Sequence, residues 1–291
     1  MRLGALEAGG TKMVCAIGDE NGNLFERVSY PTRMPEETMR DVAGFFMEKK
    51  IDALGIGSFG PLNLDSADPA FGDITTTPKL DWRNYPLRKS LADALGVPVG
   101  IDTDVNAAAL GEAILGAGAG LDTIVYFTIG TGIGGGLYIN GKLHHGLVHP
   151  EMGHILLNPH PMDPTPHGFC PYHDGCLEGL ACGESLNRRW GVPSRTLPDD
   201  HIAWQIESDY LAQMCVSAIC LLSPKRIILG GGVMHQPNLI ERTREKVLEK
   251  LGGYVAHPAI LEHIDSYIVL PGLSDNAGAV GSLLLAMESL G

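Results

Sequence analysis

Short apolar runs alternate with amphipathic segments along most of the chain. Apolar residues recur at helical spacing in residues 36–50 and in residues 204–222, which Pro224 ends. Residues 53–56 and 226–229 are predicted strands, since each holds a short apolar run typical of a buried strand. The same reasoning predicts helices at 87–95, 106–115, 239–251 and 277–290, and a strand at 97–101. Strands that alternate with helices predict an α/β protein.

Two predicted β-hairpins have unusually glycine-rich turns. Residues 3–6 and 13–17 flank the turn Glu7-Ala8-Gly9-Gly10-Thr11-Lys12, and residues 124–129 and 135–139 flank Gly130-Thr131-Gly132-Ile133-Gly134. Glycine allows backbone N–H groups to converge on an anion, and Thr and Lys add further donors. Two such turns predict two similarly built halves that face one nucleotide site. Ordinary tight hairpins or glycine-rich β-bulges are the alternatives.

The segment Asp102-Thr103-Asp104-Val105-Asn106 follows a predicted strand and opens a predicted helix. Ligands bind at the carboxyl ends of strands in open α/β sheets, and a carboxylate there can act as a general base toward a hydroxyl. Asp and Asn are also common helix N-caps. Because the segment holds two aspartates, one can cap the helix while the other acts in catalysis.

Residues 144–176 form a predicted irregular segment that holds seven of the eleven histidines. Within it, the spacing Cys170-x-x-His173-x-x-Cys176 suits a tetrahedral zinc site, with one upstream histidine as the fourth ligand. A Cys170–Cys176 disulfide or three unrelated surface residues are the alternatives. The other four cysteines, in apolar surroundings, are predicted to fill the core.

Two carboxylates, Glu151 and Glu178, flank this irregular segment. Charged acceptors of this kind bind sugar hydroxyls through strong hydrogen bonds. Solvated surface carboxylates are the alternative interpretation.

Length, composition and charge narrow the function classes. The 291 residues fit two domains, and the apolar content of 44% is enough for two cores. Lys and Arg total 21 against 34 Asp and Glu, a formal net charge of −13, which disfavours nucleic acid and anionic membranes as partners. The sequence has neither a secretory leader nor an apolar run long enough to span a bilayer, so we expect a cytoplasmic enzyme.

Taken together, these motifs resemble the ROK family (repressors, open reading frames, kinases), and within it the bacterial fructokinase branch. The resemblance runs from about residue 4 to residue 285. It is carried by the motifs Glu7–Lys12, Gly57–Pro61, Thr103–Ala108, Thr128–Gly136, His149–His154, Cys170–Leu180 and Ile228–Met234.

The resemblance implies an α/β, actin-like (ribonuclease H-like) two-domain ATPase fold with mixed sheets and a zinc-stapled loop. The small domain would comprise residues 1–115 plus 276–291, and the large domain residues 116–275, including the zinc segment 149–178.

The resemblance also implies roles for individual residues. Asp104 would be the catalytic base. ATP would be bound by Gly9, Gly10, Thr11, Lys12, Thr131, Gly132, Gly231 and Gly232. The sugar would be bound by Gly60, Thr103, Asp104, Glu151, His154 and Glu178. Structural Zn²⁺ would be bound by His154, Cys170, His173 and Cys176. Two departures from the family pattern are Glu7, where many members have Asp, and His173, where the usual third cysteine stands.

The implied reaction is ATP-dependent phosphorylation of D-fructose at the 6-hydroxyl, with Mg²⁺, by a homodimer. Another hexose (glucose, mannose or an N-acetylhexosamine) is the alternative within the same class. A sugar-responsive regulator without catalysis is disfavoured, because the first phosphate turn's strand begins at Leu3 and leaves no room for a DNA-binding domain. A non-catalytic sugar-binding module is disfavoured by the two phosphate turns and Asp104.

Overall fold

The computed structural model describes residues 1–291 as an α/β fold with two five-stranded mixed sheets. The N-terminal sheet contains β1 (Leu3–Ala8), β2 (Lys12–Gly18), β3 (Leu24–Pro31), β4 (Ala53–Ser58) and β5 (Val99–Thr103). Its order is β3-β2-β1-β4-β5, with β1 antiparallel to β2 and parallel to β4.

The C-terminal sheet repeats this topology. It contains β6 (Thr123–Ile129), β7 (Ile133–Ile139), β8 (Lys142–Leu143), β9 (Arg226–Gly230) and β10 (Ile268–Val269), in the order β10-β9-β6-β7-β8. In each sheet the first two strands form the glycine-turn hairpin, and the first strand is also parallel to the fourth. The prediction of two similarly built halves is confirmed, and so is the actin-like α/β class.

Ten helices complete the fold. They are α1 (Pro35–Lys49), α2 (Leu87–Leu95), α3 (Asp104–Leu115), α4 (Leu177–Ala181), α5 (Gly183–Trp190), α6 (Ile202–Leu222), α7 (Leu239–Leu251), α8 (Pro258–Leu261), α9 (Ile264–Tyr267) and α10 (Ala277–Glu288). Short 3-10 turns include Met152–His154 and Gly232–His235.

Helices α3 and α10 lie between the two sheets and pack against each other. A side chain at Gly281 of α10 would collide with the backbone of Ala107 in α3, and one at Gly55 of β4 would collide with the backbone of α10. Glycine therefore lets α10 approach both α3 and the N-terminal sheet closely. This packing places the beginning of α3 between the two hairpins.

Each sheet has its own apolar core. Phe46, Leu54 and Trp82 are buried on the N-terminal sheet, and Phe127 and Tyr210 are buried on the C-terminal sheet. Cys15, Cys182 and Cys215 are buried as predicted, but Cys220 is exposed, so its prediction as a core residue was wrong. It lies on the solvent side of α6. None of the helices has both the length and the apolar character needed to cross a bilayer.

Several element boundaries differ from the predictions for physical reasons. Strand β3 was missed because most of its residues are exposed at the sheet edge and give no apolar pattern. Strand β5 begins at Val99 rather than residue 97, directly after Pro98, which cannot donate to a strand ladder. Helix α3 begins at Asp104 rather than residue 106. The division of the chain into domains stays a prediction.

Candidate active site

The beginning of α3 presents Asp104 to the cleft between the sheets. The N-cap is Thr103, whose hydroxyl accepts a hydrogen bond from the Asn106 N–H at 3.1 Å. Asp102 is buried, and its Oδ1 accepts from the Thr103 N–H at 2.7 Å and from Asn106 Nδ2 at 2.8 Å. The predicted aspartate N-cap is therefore wrong, and Asp104 is not needed to cap the helix.

Asp104 lines a small cavity of about 160 Å³ together with residues of the first glycine turn. Water reaches the side chain from the cleft, yet the protein surrounds it on most sides. This desolvation raises the pKa of Asp104 to about 6, and the nearby negative charge of Glu7 raises it further. A carboxylate with a pKa near the working pH is suited to general base catalysis.

The first glycine turn forms another wall of this cavity. Gly9 N–H donates to the Lys12 carbonyl at 3.0 Å, and a Cβ at Gly9 would lie 2.7 Å from that oxygen. Gly9 and Lys12 line the cavity, whereas Gly10 and Thr11 form the tip of the turn beyond its lining. A cation and a tight backbone turn thus lie beside Asp104.

Glu7 lies at the base of the same cavity. Burial raises its pKa, and its Oε2 is 3.4 Å from the Arg27 guanidinium. Gly278 at the beginning of α10 contacts the other carboxylate oxygen, since a Cβ there would lie 2.8 Å from Oε1. The cavity therefore holds two carboxylates and one lysine.

The second glycine turn lines a different and larger cavity of about 630 Å³. The turn closes through a hydrogen bond from Gly130 N–H to the Gly132 carbonyl at 2.9 Å. Thr131 and Gly232 both line this cavity, and Gly231 precedes Gly232 with a φ of 88°. A side chain at Gly231 would collide with the Ile129 backbone, whereas Gly232 faces open space.

Sequence reasoning missed the other residues around this larger cavity. They include Gly183, Asn187, Arg195, Trp204, His235 and Gln236. These residues come from α5, α6 and two 3-10 turns that share no local sequence pattern, so only the tertiary structure brings them together.

Part of the second glycine run serves helix packing rather than ligand binding. Gly134, Gly135 and Gly136 belong to β7 and not to the turn. A side chain at Gly136 would collide with the Val105 backbone in α3, and a Cβ at Gly134 would lie 2.8 Å from the Val105 side chain. The turn is therefore shorter than the predicted 130–134, since Ile133 and Gly134 already belong to β7, and these glycines let β7 approach the beginning of α3.

A second set of carboxylates lies close to Asp104. Glu178 Oε2 accepts a hydrogen bond from Ile133 N–H at 3.0 Å, and a Cβ on Gly132 would lie 2.6 Å from that oxygen. Burial raises the pKa of Glu151, and the negative charges of Glu178 and Asp104 raise it further. Glu178 and Asp104 therefore both lie within electrostatic reach of Glu151.

Gly60 and Thr103 complete the predicted sugar-binding set. Gly60 lies against the ring of His149, because a Cβ there would be 3.3 Å from the ring atoms Cε1 and Nε2. Thr103 is buried, and its hydroxyl oxygen is used in capping α3. His149 was not predicted as a site residue.

The four predicted zinc ligands form one cluster, in which all ligand atoms lie within 4.8 Å of one another. His154 Nδ1 is 3.9 Å from Cys170 Sγ and 3.7 Å from Cys176 Sγ, and His173 Nδ1 is 3.6 Å from Cys170 Sγ. Tetrahedral zinc bonds of about 2.0–2.3 Å place neighbouring N and S ligands roughly 3.5 Å apart. The cluster fits zinc, and both cysteines are free thiols rather than a disulfide.

His154 connects this cluster to the carboxylates. Its Nδ1 faces the two sulfur atoms, while its Nε2 lies 3.9 Å from Glu178 Oε1. A metal bound at Nδ1 would therefore fix the ring that faces Glu178.

The profile of the ROK family matches residues 3–289, and the chain belongs to this family. A relative from Bacillus subtilis (strain 168) is 46% identical over 288 residues, which cover 99% of this chain and 96% of the relative. A fructokinase of Pediococcus pentosaceus is 44% identical over 290 residues, which cover 100% of this chain and 99% of that protein.

Among solved structures, a ROK family glucokinase from Streptomyces griseus, in complex with glucose and AMPPNP, is similar with a TM-score of 0.80. It is 25% identical, and the match covers 99% of this chain and 100% of that chain. The resemblance inferred from the motifs is therefore confirmed over nearly the whole chain.

Proposed function

We propose that this protein is a fructokinase, which transfers the γ-phosphoryl group of ATP to the 6-hydroxyl of D-fructose. The observation that carries the proposal is the position of Asp104. Its carboxylate lies beside Lys12 of the first glycine turn and within electrostatic reach of Glu151, near the second turn. The identity of 44% to a fructokinase over the full length supports fructose as the acceptor.

In the proposed reaction, Asp104 accepts the proton of the 6-hydroxyl as the hydroxyl oxygen attacks the γ-phosphorus. The O–P bond to the sugar forms while the bond to the β-phosphate oxygen breaks, giving fructose 6-phosphate and ADP. Positioning and charge neutralisation supply most of the catalysis in phosphoryl transfer. Here Lys12 and the backbone N–H groups of the two turns would neutralise the phosphates.

ATP would lie across both cavities. The cavity of about 630 Å³ beside Gly232 and Gly183 has room for the adenosine, and Thr131 at its edge would contact the phosphates. The phosphate chain would end at Gly9 and Lys12, next to Asp104. Gly10, Thr11 and Gly132 would contribute backbone donors from the same two turns.

Mg²⁺ is expected to accompany ATP. It prefers carboxylate and phosphate oxygens, and Glu7 and Asp104 are the two carboxylates of the phosphate cavity. Glu7 would hold the ion on the phosphates. When bound, Mg²⁺ neutralises charge on the phosphoryl group being transferred.

Structural Zn²⁺ would be bound by His154, Cys170, His173 and Cys176. It would fix the position of the segment that lines the sugar pocket. His154 and Glu178 would bind sugar hydroxyls, with Glu151, Gly60 and Thr103 completing the pocket. Since Glu178 also accepts from the Ile133 N–H, the metal segment and the second glycine turn would be held in one arrangement.

A coupled assay over a sugar panel, with ATP and Mg²⁺, tests the proposal. We expect fructose to give the highest kcat/KM among fructose, glucose, mannose and N-acetylhexosamines. If kcat/KM is higher for glucose or mannose, that sugar is the preferred substrate, and the protein is still an ATP-dependent hexose kinase. If none of the sugars is phosphorylated, the kinase proposal itself is refuted.

Two further properties are proposed from the family resemblance. We expect a homodimer, which light scattering on the purified protein tests, since the mass would be twice 31.0 kDa. We also expect the protein to act in the cytoplasm, where ATP is available and where cysteine ligands stay reduced.

A further inference from the structure

His149 connects two loop segments, one from each half of the protein, beside the proposed sugar pocket. It precedes Glu151 in the segment that follows β8, yet its Nε2 accepts a hydrogen bond at 3.1 Å from the N–H of Leu62, which follows β4. The ring is only 5% exposed and packs against Gly60. One side chain thus contacts a segment of each half of the protein.

The hydrogen-bond partners of the ring define its tautomer. Because Nε2 accepts from a backbone N–H, it carries no hydrogen of its own, and a neutral ring must carry its proton on Nδ1. Nδ1 lies 3.5 Å from Glu151 Oε1, and the Pro150 carbonyl lies near the same ring. Burial lowers the pKa of His149, so the neutral form is favoured.

We propose that His149 is a positioning residue for the hexose, which orients Glu151 through Nδ1–H and holds the Gly60–Leu62 segment through Nε2. This inference rests on the proposed function, because Glu151 and Gly60 are the groups assigned there to the sugar. Its consequence is that His149 sets the distance between the two walls of the sugar pocket without contacting the phosphates.

Two substitutions separate the contacts of the ring. In His149→Gln the side-chain amide oxygen can take the place of Nε2 and keep the Leu62 contact, while the contact to Glu151 is lost. In His149→Asn the amide nitrogen can take the place of Nδ1 and keep the Glu151 contact, while the buried Leu62 N–H is left unpaired. His144→Asn is the matched control, because His144 is exposed in the same segment.

Steady-state kinetics with fructose and ATP test the proposal. We expect both His149 variants to raise KM for fructose, with KM for ATP unchanged. The rise should be roughly ten-fold in His149→Asn, as for loss of one hydrogen bond to a buried group, and smaller in His149→Gln, which loses only the 3.5 Å contact to Glu151. In a Glu151→Gln background, His149→Gln should have no further effect, whereas His149→Asn should keep its effect. Fructose KM values equal to wild type in both variants, or an equal rise in KM for ATP, would overturn the inference.

A measurement on the wild-type protein covers the case in which a variant fails to fold. A long-range ¹H–¹⁵N spectrum of histidine-labelled protein should show His149 with its proton on Nδ1, and fructose should shift its signals. An Nε2–H tautomer, or signals unmoved by saturating fructose, would overturn the inference. A wild-type protein that neither phosphorylates nor binds fructose would refute the proposed function and this inference with it. An active wild type with unaffected variants refutes the inference alone.

Discussion

The Thr103 hydroxyl accepts a hydrogen bond from the Asn106 N–H at 3.1 Å and so caps α3. This single contact decides between the two interpretations of the Asp-Thr-Asp segment. With the cap supplied by Thr103, and with Asp102 buried in hydrogen bonds to Thr103 and Asn106, Asp104 alone projects into the cleft. The preceding strand and the cap therefore fix the carboxylate on which the proposed reaction depends.

The pKa of Asp104 predicts the pH dependence of catalysis. A general base must be ionised, so activity should be present above about pH 6 and lost as the pH falls through that value. We expect kcat/KM for fructose to fall about ten-fold for each pH unit below this value, as for the protonation of a single group. A profile that is flat well below pH 6, measured where the protein stays folded, would contradict the assignment.

The metal cluster predicts the effect of zinc loss. Cys170→Ser removes one of four ligands, so elemental analysis should find about one zinc per chain in wild type and much less in the variant. Without the metal, His154 is no longer fixed beside Glu178, and KM for fructose should rise more than KM for ATP.

Cys220→Ser is the matched control for this experiment, because Cys220 is an exposed cysteine outside the cluster. It should keep both the metal and the kinetics of wild type. Wild-type protein that is purified without chelators, contains no zinc and is fully active would show that the cluster has no structural role.

Substitution of two glycines is expected to affect the binding of different substrates. A Cβ at Gly132 would lie 2.6 Å from Glu178 Oε2, so Gly132→Ala should displace Glu178 and raise KM for fructose more than KM for ATP, although the Gly132 N–H is also proposed to face the phosphates. A Cβ at Gly232 meets no protein atom within 4 Å but enters the larger cavity, so Gly232→Ala should fold normally and raise KM for ATP. Measurement of KM for fructose and KM for ATP in both variants tests this prediction. If the two variants change the two KM values in the same way, the prediction is wrong.

A buried ion pair predicts the stability of the metal-binding segment. Arg189 Nε of α5 lies 2.9 Å from Asp163 Oδ1, both side chains are fully buried, and Tyr210 donates to the other Asp163 oxygen at 2.6 Å. Arg189→Met would leave a buried carboxylate unpaired, which costs roughly 3–5 kcal/mol of unfolding free energy. Urea unfolding measures this loss.

The exposed pair Lys225–Asp122 supplies the comparison, since each side chain is 55% exposed. Lys225→Met should cost no more than about 1 kcal/mol. If the two variants lose the same free energy of unfolding, burial does not make the Arg189–Asp163 pair more important for stability than the exposed pair.

Local sequence patterns predicted the helices and strands whose side chains are buried in a core, because burial requires apolar residues at those positions. Residues 53–56 and 227–229 are apolar because each run lies inside a sheet, so both runs could be recognised from the sequence alone. The exposed edge strand β3 gives no such signal. The glycines of β7 look like a ligand turn in sequence, because the Val105 backbone that requires Gly136 is distant along the chain.

The candidate site shows the same limit. Cys170, His173 and Cys176 are close in sequence, so ligand spacing revealed them. His149 and Leu62 are 87 residues apart, and no periodicity or spacing reports a contact of that kind. The nucleotide-binding role of the glycine turns was inferred from their composition, the choice of Asp104 as the base came from family resemblance, and the geometry adds their neighbours and charges.

The turnover of Asp104→Asn measures the central claim most directly. Because the raised pKa shows that the ionised carboxylate is disfavoured in the folded protein, removing its charge should leave stability at neutral pH equal or higher. Fructose and ATP should still bind, while kcat should fall by about 10²–10⁴-fold, the usual contribution of a general base. A folded Asp104→Asn protein that phosphorylates fructose at the wild-type rate would contradict the account.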